Sequence, residues 1–481
     1  GVEIMEKRLP NNWSETKFTN LISFIIGGDW GYDSEKVIED SSLVYCIRGG
    51  EIRDWNKNKG NTAALRRLKN TSIEKRKLNK GDILVEISGG GPDQPVGRTL
   101  YIDEDSINNK FLYPTVCTNF FRLVRTFKPV DSKYINYYLH YFYIIGGTIE
   151  LQGGSNNLRN LKIKEYQQIT IPLPPLAEQK RIADKLDILF GRLETIRKAT
   201  DHIPELIKKI RQQILTNAVT GKLTEKWRQK KVFDVCDIVE VIDSEYDSED
   251  IPDTWIYSTI ENVGKVKGGK RLPAGEELVE QNTGFPYIRA RDLKEGTVLT
   301  KNMMYLLPET QQKIKSYIVK TDDVYITIVG AKIGDAGIIP ESMNNANLTE
   351  NAAKITLLHQ DLYAHYLSLW LRASICQKNI QESIKSAAQG KLALARINKL
   401  PIYLPPKKEQ EEIVSRVQSL FEKLKTIEQK FQMLKTKLDN LPQVLLHKAF
   451  KGELVEQLPT DGNAADLLRE IEQLQKSIKK K

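Results

Sequence analysis

Little in this 481-residue chain is suited to carrying out a reaction. There are only four cysteines, Cys46, Cys117, Cys236 and Cys376, far apart and without a Cys-x-x-Cys pair. That spacing excludes a disulfide framework and a cysteine-based zinc site, and fits a reduced compartment. The five histidines, at 140, 202, 359, 365 and 447, also lack ligand spacing, so no metal site is expected. No apolar run approaches the roughly 20 residues that span a bilayer, and the opening GVEIMEKRLP does not read as a signal peptide. A cytoplasmic protein is the expectation.

Catalytic motifs are missing too. The run from Gly264 to Arg271 approaches a phosphate-binding loop, but Arg271 stands where the magnesium-ligating Ser or Thr belongs. Ser88-Gly89-Gly90-Gly91 is glycine-rich without a dinucleotide fingerprint. The Asn-Pro-Pro-aromatic run of an amino-methyltransferase is absent, since Leu173 precedes Pro174-Pro175 where an amide would be required. No catalytic residue, no metal and no cofactor bound by this chain is expected.

What the chain does contain, it contains twice. The stretch from Ile171 to Leu223 returns from Ile402 to Leu454, offset by 231 without a gap. Leu173-Pro174-Pro175 recurs as Leu404-Pro405-Pro406, Glu178-Gln179 as Glu409-Gln410, and Gly221 as Gly452. Within each copy apolar residues step by three and four. The first stripe is Ile182, Leu186, Leu189, Leu193, Ile196, Ile203, Ile207 and Ile210; the second is Ile413, Val417, Leu420, Leu424, Ile427, Phe431, Leu434 and Leu438. A sustained repeat of 3.5 residues is a coiled-coil seam. Two such helices in one chain pair most simply with each other, antiparallel. Prolines suit the helix starts and glycines the ends. A helix of roughly 44 residues at about 1.5 Å per residue is a rod of about 65 Å. Pro204 and Pro442 lie inside the rods, so a kink is expected near each.

A globule of mixed type precedes each rod. In the first, LISFII, SLVYCI, DILVEI and NFFRLV read as strands, SKYINYYLHYFY as a helix and GGSNNLRN as a polar loop. The second repeats the landmarks: Pro252 to Trp255 answers Pro10 to Trp13, Gly268-Gly269 answers Gly27-Gly28, and Tyr287-Ile288-Arg289 answers Cys46-Ile47-Arg48. The expected class is α+β. Residues 1–175 and 251–405 form the two globules and 176–227 and 406–456 the helices, with an acidic connection at 228–250 and a tail helix at 457–481.

The net charge of +10, with pI near 9.0, favours a nucleic-acid partner. Basic and amide side chains cluster in Gly- and Asn-rich surroundings. In the first globule these are Arg48, Arg53, Lys57, Lys59, Arg66, Arg67, Gln94, Arg98, Asn157 and Arg159; in the second, Lys267, Lys270, Arg271, Arg289, Arg291, Lys332, Gln389 and Lys391. Lys and Arg neutralise phosphates, and Arg, Asn and Gln make the bidentate contacts that read base edges. The matched positions of Arg48 and Arg289 make both candidate base readers. Two unlike globules on one antiparallel rod pair would read two half-sites separated by an unread gap of about one to two turns, ~34 Å each.

The doubled Leu-Pro-Pro-x-x-Glu-Gln with its heptad helix resembles the specificity subunits of type I restriction-modification systems. So do the Pro-x-x-Trp openings and the ends Ala-Val-Thr-Gly-Lys-Leu and Ala-Phe-Lys-Gly-Glu-Leu. The resemblance implies a non-catalytic subunit with two target-recognition domains on a coiled-coil spacer, reading an asymmetric bipartite site on double-stranded DNA. It also implies two methyltransferase subunits that methylate adenine from S-adenosylmethionine, and restriction subunits that use ATP and Mg. The competing reading is a coiled-coil adaptor that binds proteins and not DNA.

Overall fold

A computed structural model describes residues 9–91, 94–107, 112–155, 158–231, 251–385 and 390–479. Most of the acidic connection, residues 232–250, lies outside the described residues. The chain divides into two compact units, residues 1–200 with 434–481, and residues 201–433. Each contains one globule, the start of one long helix and the end of the other.

In the first unit, the four runs read as strands are strands. Ile22–Gly27, Phe121–Thr126, Ile83–Glu86 and Thr99–Tyr101 form one antiparallel sheet in that order. Ser41–Ile47 lies in a second sheet, between Ala64–Lys69 and the parallel strand Thr115–Cys117. Ser14–Lys17 pairs with Thr170–Leu173, so the globule's first and last strands close on each other. The helix Ser132–Ile144 packs its Tyr134, Ile135 and Leu139 into the core with Ile182 and Leu186 of the long helix Leu176–Thr200. One expectation fails. GGSNNLRN is a hairpin, Gln152–Ser155 against Leu158–Leu161, with Ser88–Gly89 as its third strand. Its polar composition hid the strands because their ladder bonds run through the backbone and bury few side chains.

The second unit repeats the design. Its four-stranded sheet runs Gly264–Gly268, Ala352–Leu357, Val324–Thr327, Ala336–Ile338, the same order as its counterpart. The near-phosphate-loop run is therefore a strand, not a loop opening a helix. Pro286–Ile288 pairs parallel with Asn347–Leu348, as Ser41–Ile47 does with Thr115–Cys117. Where the sheets meet, a Cβ on Gly28 would fall 2.1 Å from the Thr118 carbonyl oxygen, and one on Gly269 2.1 Å from that of Thr349. Backbone approaches backbone there, which only glycine permits.

The helix-opening motif owes its sequence to burial. Glu178 and Gln179 are fully buried, as are Glu409 and Gln410. Gln179 Oε1 accepts from the Asp131 amide at 2.9 Å while its Nε2 donates to the Pro174 carbonyl at 2.8 Å. Gln410 does the same between the Tyr363 amide and the Pro405 carbonyl. Glu178 accepts from Asn12 and from Gln457, at 3.3 and 3.0 Å. Glu409 accepts from Thr224 at 2.6 Å, from Trp255 at 3.1 Å, and from Arg228. Each carboxylate thus ties a helix start to the segment that follows the other helix's glycine. Gly221 and Gly452 take left-handed φ values of 73° and 72° to turn the chain into that segment, and Pro252 and Pro10 pack against them.

The long helices differ from the expectation in one respect. The first is two helices, Leu176–Thr200 and Ile203–Val219, broken at Asp201-His202 so that Pro204 falls in a first turn, where its missing N–H is harmless. The second, Lys407–Phe450, runs unbroken through Pro442. Proline at 442 removes the donor that the Leu438 carbonyl would normally meet. In the first unit that carbonyl accepts instead from Arg197 Nη2, at 3.2 Å. Arg197 also lies 3.6 Å from Asp439, and Ile182 and Leu186 share a core with Leu446, Ala449 and Phe450, so within this unit the two helical segments run antiparallel. They do so in the second unit also. There Arg211 bonds Glu428 at 3.0 Å, and Leu215, Ala218 and Val219 share a core with Ile413, Val414 and Val417.

Burial along the stripes is uneven. Ile182, Leu186, Leu193 and Leu438 are buried in the first unit, and Ile207, Ile413, Val417 and Leu424 in the second. Leu189, Ile203, Leu420 and Phe431 are half-buried, whereas Ile196, Ile210, Ile427 and Leu434 are exposed. Full burial is concentrated where a globule adds a third layer to the helix pair.

Arg197→Ala leaves the Leu438 carbonyl without a donor and is expected to destabilise the protein by about 1 kcal/mol, because the guanidinium is partly exposed. Pro442→Ala restores the helical donor. In a denaturant double-mutant cycle the loss at Arg197 should shrink in the Pro442→Ala background; equal losses in both backgrounds would show that the guanidinium does not replace the missing amide.

Candidate DNA interface

The structure brings some of the residues expected to contact DNA together and leaves others apart. In the first globule three segments distant in sequence converge on Glu86. Arg98 pairs with it, Nε to Oε2 at 2.9 Å. Gln94 lies beside the same guanidinium, its carboxamide oxygen accepting at 2.7 Å in the orientation the arginine demands. Glycines 49 and 89 flank the carboxylate, each close enough for a Cβ to touch it. Arg159 lies on the hairpin strand that pairs with Ser88–Gly89. Phe120, 45% exposed, is tied through its carbonyl to the Ile87 amide at 2.8 Å. Asn157 lies outside the described residues.

The other candidates of the first globule lie on its second sheet and the loops beside it. Arg66 stacks on Trp30, 4.2 Å from the ring centre, and pairs with Asp33. Arg67 donates to the Ser34 carbonyl at 3.3 Å. Lys59 pairs with Asp103, while Arg53 and Lys57 are exposed on the same loop. Trp30 and Phe120 were not anticipated; an aromatic next to a glycine-rich or basic run was the available signal.

In the second globule Lys267 and Lys270 both lie over Tyr317, at 5.1 and 5.5 Å, and Lys267 also donates to the Ser316 carbonyl. Arg271, largely exposed, pairs with Glu350 at 2.8 Å. Arg291, Lys332 and Lys391 are exposed. Gln389 lies outside the described residues.

Arg48 and Arg289 hold their own turns in the same way. Arg48 donates to both sides of its own turn: to buried Glu51 at 2.7 and 3.0 Å, and to the Thr62 carbonyl at 2.9 Å. Glu51 in return accepts the Arg48 amide at 2.6 Å. Arg289 repeats every element with Asp292 and the Asn302 carbonyl. Nε and Nη2 of each guanidinium are used in this way, which leaves the two Nη1 protons for another partner. These two arginines are clamps that fix the loops leaving the second sheets.

The two faces share a main-chain frame and differ in side chains. Ile87 bonds the Phe120 carbonyl, and Ile328 that of Asn351, both at 2.8 Å. Leu161 bonds back to Ile87 as Leu392 does to Ile328, and Thr118 to Ile47 as Thr349 to Ile288. Upon this common frame Phe120 is answered by Asn351, and Asn160 by Lys391. Among the described residues no group of His, Cys, Asp and Glu is placed to hold a metal ion, and no helix is long and apolar enough to cross a membrane.

A family model described as the type I restriction modification DNA specificity domain matches residues 55–205 and again 252–436. The chain belongs to this family. Both copies of the domain span a globule and much of the helix after it. The chain is similar to the EcoBI specificity subunit of Escherichia coli, 31% identical over 67% of this chain and 68% of the relative. It is similar to the EcoKI specificity subunit of E. coli strain K12 at 25% identity over 96% of both. The HsdS subunit from Thermoanaerobacter tengcongensis shares the fold, with a TM-score of 0.61 at 16% identity over 94% of this chain and 99% of that one. A chain solved in a study of complex assembly and conformational transition of the type I system matches at a TM-score of 0.62 and 17% identity, over 93% of this chain and 100% of that one. Specificity subunits are the non-catalytic, sequence-recognising members of these systems, in keeping with a chain whose distinctive residues are clamps, cations and amides.

The clamps predict an order of stabilities. Asp292 and Arg289 are both mostly enclosed, whereas Arg48 is half exposed. Arg289→Ala leaves a buried carboxylate unpaired and should cost about 3 kcal/mol; Arg48→Ala should cost less, about 1–2 kcal/mol. Chemical denaturation measures both. An altered recognition motif with unchanged stability would make these arginines base readers.

Proposed function

We propose that this chain recognises an asymmetric bipartite site on double-stranded DNA and scaffolds the enzymes that act there. Each globule reads one half-site. The paired helices act as an antiparallel coiled-coil spacer that sets an unread gap of about one to two turns. Two methyltransferase subunits assemble on the chain and methylate adenine from S-adenosylmethionine. Restriction subunits, when present, translocate and cut DNA with ATP and Mg. The complex works in the cytoplasm, where its DNA is. No cofactor is held by this chain itself.

The observation that carries this reading is the duplicated frame with unlike loops. Main-chain bonds at 87, 118 and 161 recur at 328, 349 and 392, while the side chains mounted on them differ. Two equivalent frames with different donors and acceptors are what reading two different sequences requires. The cations around each frame add the phosphate contacts that hold register.

The decisive experiment is a methylome. The chain is co-expressed with its methyltransferase partner in a host without modification, and N6-methyladenine is mapped. A split motif that disappears without this chain is expected, and exchanging residues 251–405 for those of a relative should change one half of the motif only. Co-purification of the two proteins without any motif would favour the protein-binding adaptor.

A further inference from the structure

In the second unit the junction between the globule and the long helix is open where its counterpart is closed. The counterpart, in the first unit, is the face between the helix Ser132–Ile144 and the helix Leu176–Thr200. There Asp187 of the long helix accepts from both Lys133 and Tyr137, and Phe190 packs on the Tyr137 ring at 5.7 Å. The carboxylate closes the junction.

The corresponding positions of the second unit follow from the duplicated tyrosines. Tyr134 donates to the Pro172 carbonyl, and Tyr366 to that of Tyr403, each at 2.6 Å. In that register Lys133 becomes His365, Tyr137 becomes Leu369, and Asp187 becomes Gln418. The carboxylate and the tyrosine hydroxyl are gone, and a histidine stands in place of the lysine. In their place is a groove of about 430 Å³, floored by Ile338, Leu369, Val417 and Phe421.

Two polar groups in the lining are unsatisfied. Arg372 enters from the end of its helix, with its guanidinium over Gly296 and 5.9 Å from the Phe421 ring centre. It has no hydrogen bond and no ion pair among the described residues. Burial holds its pKa below the ordinary guanidinium value, and Arg211 nearby adds to that. His365 Nδ1 is buried without a partner. Asp335, near enough to be felt by Arg372, makes no ion pair with it, and the lining carboxylates Asp322 and Glu341 are solvent-exposed. A half-buried arginine that makes no ion pair, set against an apolar floor, keeps donors free for a carboxylate. In the first unit the long helix places a carboxylate in this junction, and in the second it places Gln418.

We infer that this groove is a socket for an acidic side chain of a protein partner, an Asp or Glu flanked by an apolar residue. The carboxylate pairs with Arg372 and the apolar neighbour covers Phe421 and Leu369. An apolar floor suits a protein segment better than a phosphate, whose charge is borne on all sides without an apolar flank. An arginine beside apolar side chains that becomes enclosed on binding is the kind of anchor that carries much of an interface's binding energy. The inference rests on the reading of this chain as a subunit of a larger assembly, and the partner to test is the methyltransferase subunit.

Three variants of the full chain test it: Arg372→Met, Gln418→Glu, and both together. Gln418→Glu places a carboxylate in the groove from the chain itself, as Asp187 does in the first unit. It is expected to raise the Tm by a few degrees, and the gain should vanish in the double variant. Both single variants should weaken association with the methyltransferase by about tenfold or more, and Arg372→Met should do so without lowering the Tm. Association within twofold of the unaltered chain for both would overturn the socket. An absent Tm gain for Gln418→Glu would overturn it as well, even if the unaltered chain failed to bind the methyltransferase, a result that would itself count against the subunit reading. Sodium acetate raising the Tm in an Arg372-dependent way, with association unaffected, would assign the groove to small carboxylates and overturn the protein occupant.

Discussion

A buried carboxylate at the start of each long helix is the constraint from which the rest of the architecture follows. Glu178 and Glu409 have no access to water, so each must find all its hydrogen bonds within the protein. The donors come from chain segments far away in sequence: Asn12 and Gln457 for one, Thr224, Arg228 and Trp255 for the other. A helix start can therefore be satisfied only when the end of the other helix is also present. That is why each compact unit is assembled from pieces of both repeats, and why the motif Leu-Pro-Pro-x-x-Glu-Gln is so specific. Every residue of it fills a role that a substitute would leave open: proline ending the strand before the helix, glutamine bridging two loops, glutamate closing the unit.

Duplication gives this constraint a second use. With the frame fixed by main-chain bonds, the loops are free to differ. The paired bonds from Ile87 and Ile328, and from Leu161 and Leu392, hold unlike side chains at like positions. The arginine clamps extend the same logic, since Arg48 and Arg289 spend Nε and Nη2 on fixing the loops that others use. The junctions show divergence in the opposite sense. Asp187 closes one from within, and Gln418 leaves the other to be completed. A repeat thus separates what must be kept, the buried polar ties, from what can vary, the exposed donors and one open groove.

Much of this was legible beforehand, for reasons that differ between elements. The strands Ile22–Gly27 and Ile83–Glu86 were evident because apolar runs mark buried sheets. The hairpin from Gln152 to Leu161 was not, because its glycines and asparagines report backbone pairing only weakly. A kink was expected near Pro204 and near Pro442; the helix breaks beside the first and runs on through the second, and nothing local announces that Arg197 donates to the carbonyl left without its amide. Arg48 and Arg289 were singled out for their matched positions, and the match reflects a shared clamp.

The sequence by itself determined the repeat, the helix stripes, the apolar strands of the first globule, the lack of recognisable catalytic motifs and the family. All of these are carried by local periodicity or by short motifs whose spacing is set along the chain. Only the tertiary structure decided which helix end meets which helix start, which cations are spent on clamps, and where a half-buried arginine is left without an ion pair. Those outcomes depend on the partners available to each polar group, which lie within a turn or a short loop for the arginine clamps and hundreds of positions away for the helix starts.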